Sequence, residues 1–153
     1  MDVCHAGSAG GAVNIFRRIF GYRTKRAASG SLDRAKLATL ALGTVAGFQY
    51  FGVPAELATV ANTNSMLPTL DENAVLILEG CRFDELTEGD IVTRRISAGS
   101  PFTVHRLNER TASGWWHLGD NNARVDSDLV TEQNFHRRVC AVFYGRRTAE
   151  TDL

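Results

Sequence analysis

Three neighbouring stretches decide how this chain is read: FTVHRL at 102–107, GWWHL at 114–118, and GDNNARVDSD at 119–128. The first two are short and rich in β-branched and aromatic residues, and polar turn formers follow them. In an extended strand, Thr103, His105 and Leu107 share one face, while Phe102, Val104 and Arg106 share the other. Working outward, AVLIL (74–78), DIVTRRI (90–96) and RVCAVFY (138–144) read as strands by the same criteria. Glu88-Gly89-Asp90, Gly99-Ser100-Pro101 and Gly119-Asp120-Asn121-Asn122 read as the turns between them. No long helical period appears after Asn62. The pattern predicts a mainly β domain over residues 57–147, with a short tail at 148–153. A sheet this small needs closure or a covering layer to hide its edges.

Upstream the character changes. No charge occurs from Leu37 to Ala55. As a helix those residues rise about 28 Å, close to the roughly 30 Å of a bilayer's hydrocarbon core. Basic residues flank only the N-terminal side, which predicts a membrane-anchoring helix over 36–56 with the β domain on the trans side. Gly43 and Gly47 form a GxxxG pair, weak evidence for helix pairing. Residues 1–35 form a basic tail or targeting leader, with no Asp or Glu between Asp2 and Asp33. Within it, Val13, Ile15, Phe16, Ile19 and Phe20 with Arg17 and Arg18 fit a short amphipathic helix.

The 153-residue chain has a formal net charge of zero, so no overall field recruits nucleic acid. Its three cysteines, Cys4, Cys81 and Cys140, have neither disulfide-framework nor zinc-site spacing. No metal, nucleotide or organic cofactor is implied. Of the seventeen basic residues only Lys25 and Lys36 are lysine, and both precede the β domain. Arginine stays protonated, so a proton acceptor in that domain must be His, Asp or Glu.

The segment Thr63-Asn64-Ser65-Met66-Leu67-Pro68-Thr69 joins the apolar stretch to the first strand. A loop serine is ordinarily a turn former, and it becomes a nucleophile only beside a base. His105, on a rigid strand and with an ordinary pKa near neutrality, suits that role. His117 and His136 compete for it. Asp120, Asp126 and Asp128 are solvated turn carboxylates on the plain reading, and one of them orients an imidazole on the functional one. Trp115 and Trp116 fit core packing or a lipid interface.

Together these segments resemble the type I signal peptidases. Ser-Met-Leu-Pro-Thr-Leu, Glu-Gly-Asp-Ile-Val, Val-His-Arg and Gly-Asp-Asn-Asn, with Asp126 and Asp128 behind, occur in that family's order and approximate spacing over residues 62–145. The resemblance implies a signal-peptidase-type β domain and a membrane-bound serine endopeptidase that removes N-terminal targeting peptides. Ser65 is then the nucleophile. His105 stands where the endoplasmic-reticulum and archaeal members carry histidine and the bacterial and mitochondrial members carry lysine. Asp126 is the acidic partner, Asp120 a structural group, and Asp128 a substitute for either. The Ser65 backbone N–H and the Thr63 hydroxyl form the oxyanion site. Met66 and the apolar side chains of 74–78 are candidates for the substrate pockets.

Ser-Met-Leu-Pro-Thr-Leu and the Arg-rich leader look more like the mitochondrial or bacterial members. The expected location is therefore the mitochondrial inner membrane or the endoplasmic reticulum, with a bacterial or archaeal plasma membrane as the further option. Expected partners are precursor proteins, membrane lipid and other subunits of a peptidase complex, without nucleic acid. The absence of a downstream lysine motivates one alternative, a non-catalytic subunit of this fold that binds substrates or partners. A self-cleaving repressor-type domain is disfavoured, since no DNA-binding pattern lies upstream.

Overall fold

A computed structural model describes residues 32–145 of the chain. Residues 1–31, most of the expected 1–35 leader with its amphipathic segment and Cys4, and residues 146–153, which include the expected tail at 148–153, lie outside the described residues. The described part is mainly β, one six-stranded antiparallel sheet preceded by a single helix. The helix, α1, spans Arg34–Tyr50. The strands are β1 (Ala55–Thr59), β2 (Ala74–Glu79), β3 (Ile91–Arg94), β4 (Thr103–Thr111), β5 (Gly114–Leu118) and β6 (Phe135–Tyr144). Their order across the sheet is β1-β2-β6-β3-β4-β5.

The helix begins where Asp33 caps it, its carboxylate accepting from the Lys36 backbone N–H at 2.9 Å. It ends at Tyr50 because Gly52 takes φ 76° and the chain turns back, with the Val53 N–H donating to Phe48 O. Pro54 then lacks the N–H that a helix would need. The single helix expected over 36–56 is therefore corrected at its C-terminal end. Residues 55–59 pair with β2 as an edge strand, Ala55 opposite Glu79 and Thr59 opposite Val75. The anchor reading is corrected with it. At 17 residues α1 is about 26 Å long, and among the described residues no helix is long and apolar enough to cross a membrane. Leu37, Ala41 and Val45, spaced four apart, form one buried face that packs on Ala55, Val75 and Ile77. Leu40 and Leu42 on other faces stay exposed.

β2 reads as a continuous apolar run because both its faces are covered. Val75 and Ile77 meet the helix, while Ala74, Leu76 and Leu78 meet Met66 and Leu70 from the segment before the strand. Residues 74–78, expected as pocket linings, are instead core residues, at most 2% exposed. Met66 is equally buried but also borders a narrow cleft with Val60, Thr63 and Leu67, as expected. A third cluster, Leu86, Val92, Leu107, Trp115 and Val130, fills the β3-β4-β5 end. There Trp115 is a packing residue, with Arg110 set against its ring.

Candidate active site

Three segments converge at the β4-β5 end of the sheet. β4 carries His105, opposite Val92 of β3, and β5 carries His117, opposite Leu107. Strand alternation puts His105 and Leu107 on one face, so the antiparallel register brings His117 onto that face as well. After β5 the chain turns at Gly119 and runs back along the strand's open edge. The Asp126 N–H donates to His117 O at 3.1 Å, and Val130 bridges Trp115 in both directions. This return path covers the edge and delivers Asp126 to the two histidines.

The segment that carries Ser65 is held from several sides. Met66 and Leu70 are buried in the core beneath it. Asn64 takes a left-handed φ of 59°, a conformation asparagine tolerates. The Asn121 backbone N–H donates to Ser65 O at 2.8 Å, and its side-chain amide to Asn64 O. Tyr144 donates to Thr69 O, and the Thr69 hydroxyl donates to Asp120. Asp120 also receives both ends of the Arg106 guanidinium, at 2.8 and 2.7 Å. Asp120 therefore ties the Ser65 loop to β4.

Within this frame Ser65 Oγ lies 3.3 Å from His105 Nε2. His105 Nδ1 meets Asp126 Oδ2. A carboxylate accepts, so Nδ1 carries the proton and Nε2 presents its lone pair to the serine hydroxyl. Thr63 Oγ1 is 3.2 Å from Ser65 Oγ, within reach of the same reacting position. Asp128 is placed elsewhere, in a two-pronged pair with the buried Arg94 at 2.6 and 3.0 Å. His136 bonds Glu56 and stacks on Phe102, away from the serine. A larger cleft, lined by Phe83, Arg110 and Thr131 at the far end of the β4-β5 hairpin, holds none of the candidate residues.

His117 is the residue whose part the sequence reading missed. It does not approach the serine as a base. Its Nδ1 lies 2.7 Å from Asp126 Oδ2, so one carboxylate oxygen serves two imidazoles. Burial, and next the Arg94 guanidinium, push its pKa down to about 4, so the ring is neutral at pH 7. The available signal was the two-residue spacing from the Gly119 turn, but it acquires meaning only once the β4-β5 register is known.

The folded-state pKa of His117 lies below its ordinary value of 6.5, so the unfolded chain takes up the proton first. Its contribution to stability is complete above about pH 6.5 and is lost as pH falls towards 4, by at most about 1.4 kcal/mol per pH unit. Urea unfolding from pH 7.5 to 4.5 should show this slope in the wild type and a shallower one in His117→Gln. Parallel curves would remove His117 from the acid sensitivity.

Gly119 is required by proximity. A Cβ there would stand 2.6 Å from Ser65 O, 2.9 Å from Asn122 Nδ2 and 3.0 Å from His105 Nε2. Gly119→Ala is expected to cost about 1–3 kcal/mol through overpacking and to push serine and imidazole apart. Thermal melts of Gly119→Ala against the wild type check this, and an unchanged melting temperature would mean that the contact is slack.

No protein-family description, curated protein or solved structure matches this chain.

Proposed function

We propose that the protein is a serine endopeptidase of the type I signal peptidase kind, acting by acyl transfer through Ser65, His105 and Asp126. The observation that carries this reading is the line from Ser65 Oγ through His105 Nε2, 3.3 Å away, to Asp126 on the opposite ring nitrogen. In this mechanism Ser65 Oγ attacks the scissile carbonyl as His105 Nε2 takes its proton. The same proton passes to the leaving amine, and an acyl-serine ester remains. Water then attacks the ester, His105 again acting as base, and the acid product and free serine are released. Asp126 keeps Nδ1 protonated and stabilises the imidazolium formed in each half-reaction. The Ser65 N–H and the Thr63 hydroxyl receive the oxyanion, each such donor contributing roughly 3 kcal/mol at the transition state.

A narrow cleft next to the Ser65 segment, lined by Val60, Ala61, Thr63, Met66 and Leu67 among others, has a volume of only about 10 Å³, so it supports none but the smallest side chains in an extended substrate. Precursor proteins bearing N-terminal targeting peptides meet that requirement. The exposed Leu40, Leu42, Tyr50 and Phe51 on and just after α1 favour a membrane surface as the place of action. The test is a library of extended peptides incubated with purified protein and read by mass spectrometry. Cuts are expected after a small residue, with a second small residue two positions earlier, and no cuts with Ser65→Ala. No cleavage by the wild type, in detergent or out of it, would favour the non-catalytic binding subunit.

A further inference from the structure

The catalytic reading needs one imidazole on Asp126, yet two are present. His105 Nδ1, His117 Nδ1 and Asp126 Oδ2 form a closed triangle in which all three atoms lie within 4.8 Å of one another. The two nitrogens are 3.3 Å apart. That is about the edge of a coordination tetrahedron with nitrogen–zinc bonds of roughly 2.0 Å. Asp126 Oδ2, in contrast, sits at hydrogen-bond distance from both, 2.7 Å from His117 Nδ1, and has to draw back by about half an ångström or more to ligate. We propose that His105, His117 and Asp126 form a Zn2+ site whose occupancy silences the Ser65 nucleophile.

Two further observations fit a soft divalent cation there. The first is an orphaned atom. With Nδ1–H donated to Asp126, His117 Nε2 is a buried lone pair with no hydrogen-bond partner. Ligation through Nδ1 moves that proton to Nε2, and Asp128 Oδ1 stands 3.8 Å away, where a small shift lets it accept. A metal-bound histidine ordinarily makes this kind of outer contact to a carboxylate. The second is charge. The nearby Arg94 guanidinium opposes positive charge at His117, and its two-pronged pair with Asp128 offsets this only in part, so the Asp126 carboxylate carries most of the attraction for a cation. Entry is open from the Asp126 side, where about a quarter of that side chain is exposed, whereas His117 is fully buried.

The proton count fixes the consequence. On binding, each imidazole shifts its proton from Nδ1 to Nε2, and none is released. His105 Nε2 then bears hydrogen and faces Ser65 Oγ as a donor, so it can no longer take the serine proton. Zn2+ binding is independent of the peptidase reading, whereas silencing rests on it.

The experiment titrates tag-free, full-length protein with Co2+ and then Zn2+, following the cobalt ligand-field bands and the melting temperature. One Co2+ per chain is expected, with intense four- or five-coordinate bands, displacement by Zn2+ and a raised Tm. Ser65→Ala should bind as the wild type does. His117→Gln and Asp126→Asn should each weaken binding by about tenfold or more. Asp126→Asn is nearly isosteric and lies where about a quarter of the side chain reaches solvent, so it tests the site even if His117→Gln fails to fold. Millimolar Mg2+ should give no spectral change and no Tm shift. Absence of stoichiometric binding, or equal binding by Asp126→Asn, overturns the site. Where the wild type cleaves peptide, Zn2+ should inhibit and a chelator restore; stoichiometric binding without inhibition overturns the silencing alone. Failure to cleave any peptide leaves the binding titration fully decisive for the metal.

Discussion

Replacing Ser65 or His105 with alanine is expected to lower kcat/KM on a cleaved peptide by on the order of 10⁴-fold or more, and the double variant should fall no further. In the proposed mechanism His105 Nε2, 3.3 Å from Ser65 Oγ, is the proton acceptor. Without the imidazole the hydroxyl is a weak nucleophile, and without the hydroxyl the imidazole has nothing to activate. Residues that act as one unit therefore give non-additive losses. His105→Lys is the sharper variant. A lysine acts as a base near pH 7 only when desolvation lowers its pKa, and Asp126 beside it would favour the charged ammonium. Little rescue is expected. Full activity in Ser65→Ala would assign the chemistry to another residue. Activity restored by lysine would mean that the pocket is built for an amine.

The second large effect separates two neighbouring carboxylates. Asp126→Asn should lower turnover by on the order of 10³- to 10⁴-fold while the melting temperature stays near that of the wild type, because an amide at this point favours the wrong His105 tautomer. Asp120→Ala should do the reverse. It removes the partner of the Arg106 guanidinium and of the Thr69 hydroxyl at a site where Asp120 is 11% exposed. Breaking a buried pair costs about 3–5 kcal/mol. The lower end applies here, since Arg106 is a quarter exposed and retains Gly89 O as an acceptor. Urea unfolding and steady-state turnover on both variants read the two effects separately. A stable but inactive Asp120→Ala beside an unstable Asp126→Asn would exchange their roles.

Local patterning carried much of the architecture. The runs at 74–78, 90–96, 102–107, 114–118 and 138–144 each fall on a strand, with ends moved by a few residues. β-branched and aromatic residues in short runs between turn formers are a local signal, and the sheet used them as such. β1 was not legible in the same way. Ala55–Thr59 has no strong alternation, and it becomes a strand because β2 offers it an edge once Gly52 has turned the chain. The apolar stretch before it was ambiguous on physical grounds. A membrane and a sheet face both accept uncharged residues, and the spacing of Leu37, Ala41 and Val45 selects a sheet only where one is present.

The chemistry divides along the same line. The family resemblance carried by four short motifs in order was what singled out Ser65, His105 and Asp126 as candidates, and the lack of lysine in the β domain left no lysine base there, because the capacity to act as nucleophile, base or orienting acid is a property of side chains. What each neighbouring group does depends on distances set across the chain. Asp120, Asp126 and Asp128 lie within nine residues of one another, yet they serve the nucleophile loop, the imidazoles and Arg94 respectively. The return of 119–130 along β5 makes that assignment. The pairing of His117 with His105 on one carboxylate likewise exists only through the β4-β5 register. Side-chain chemistry is local and can be read one residue at a time; the contacts that decide between equivalent groups are made by segments that meet only when the sheet closes over them.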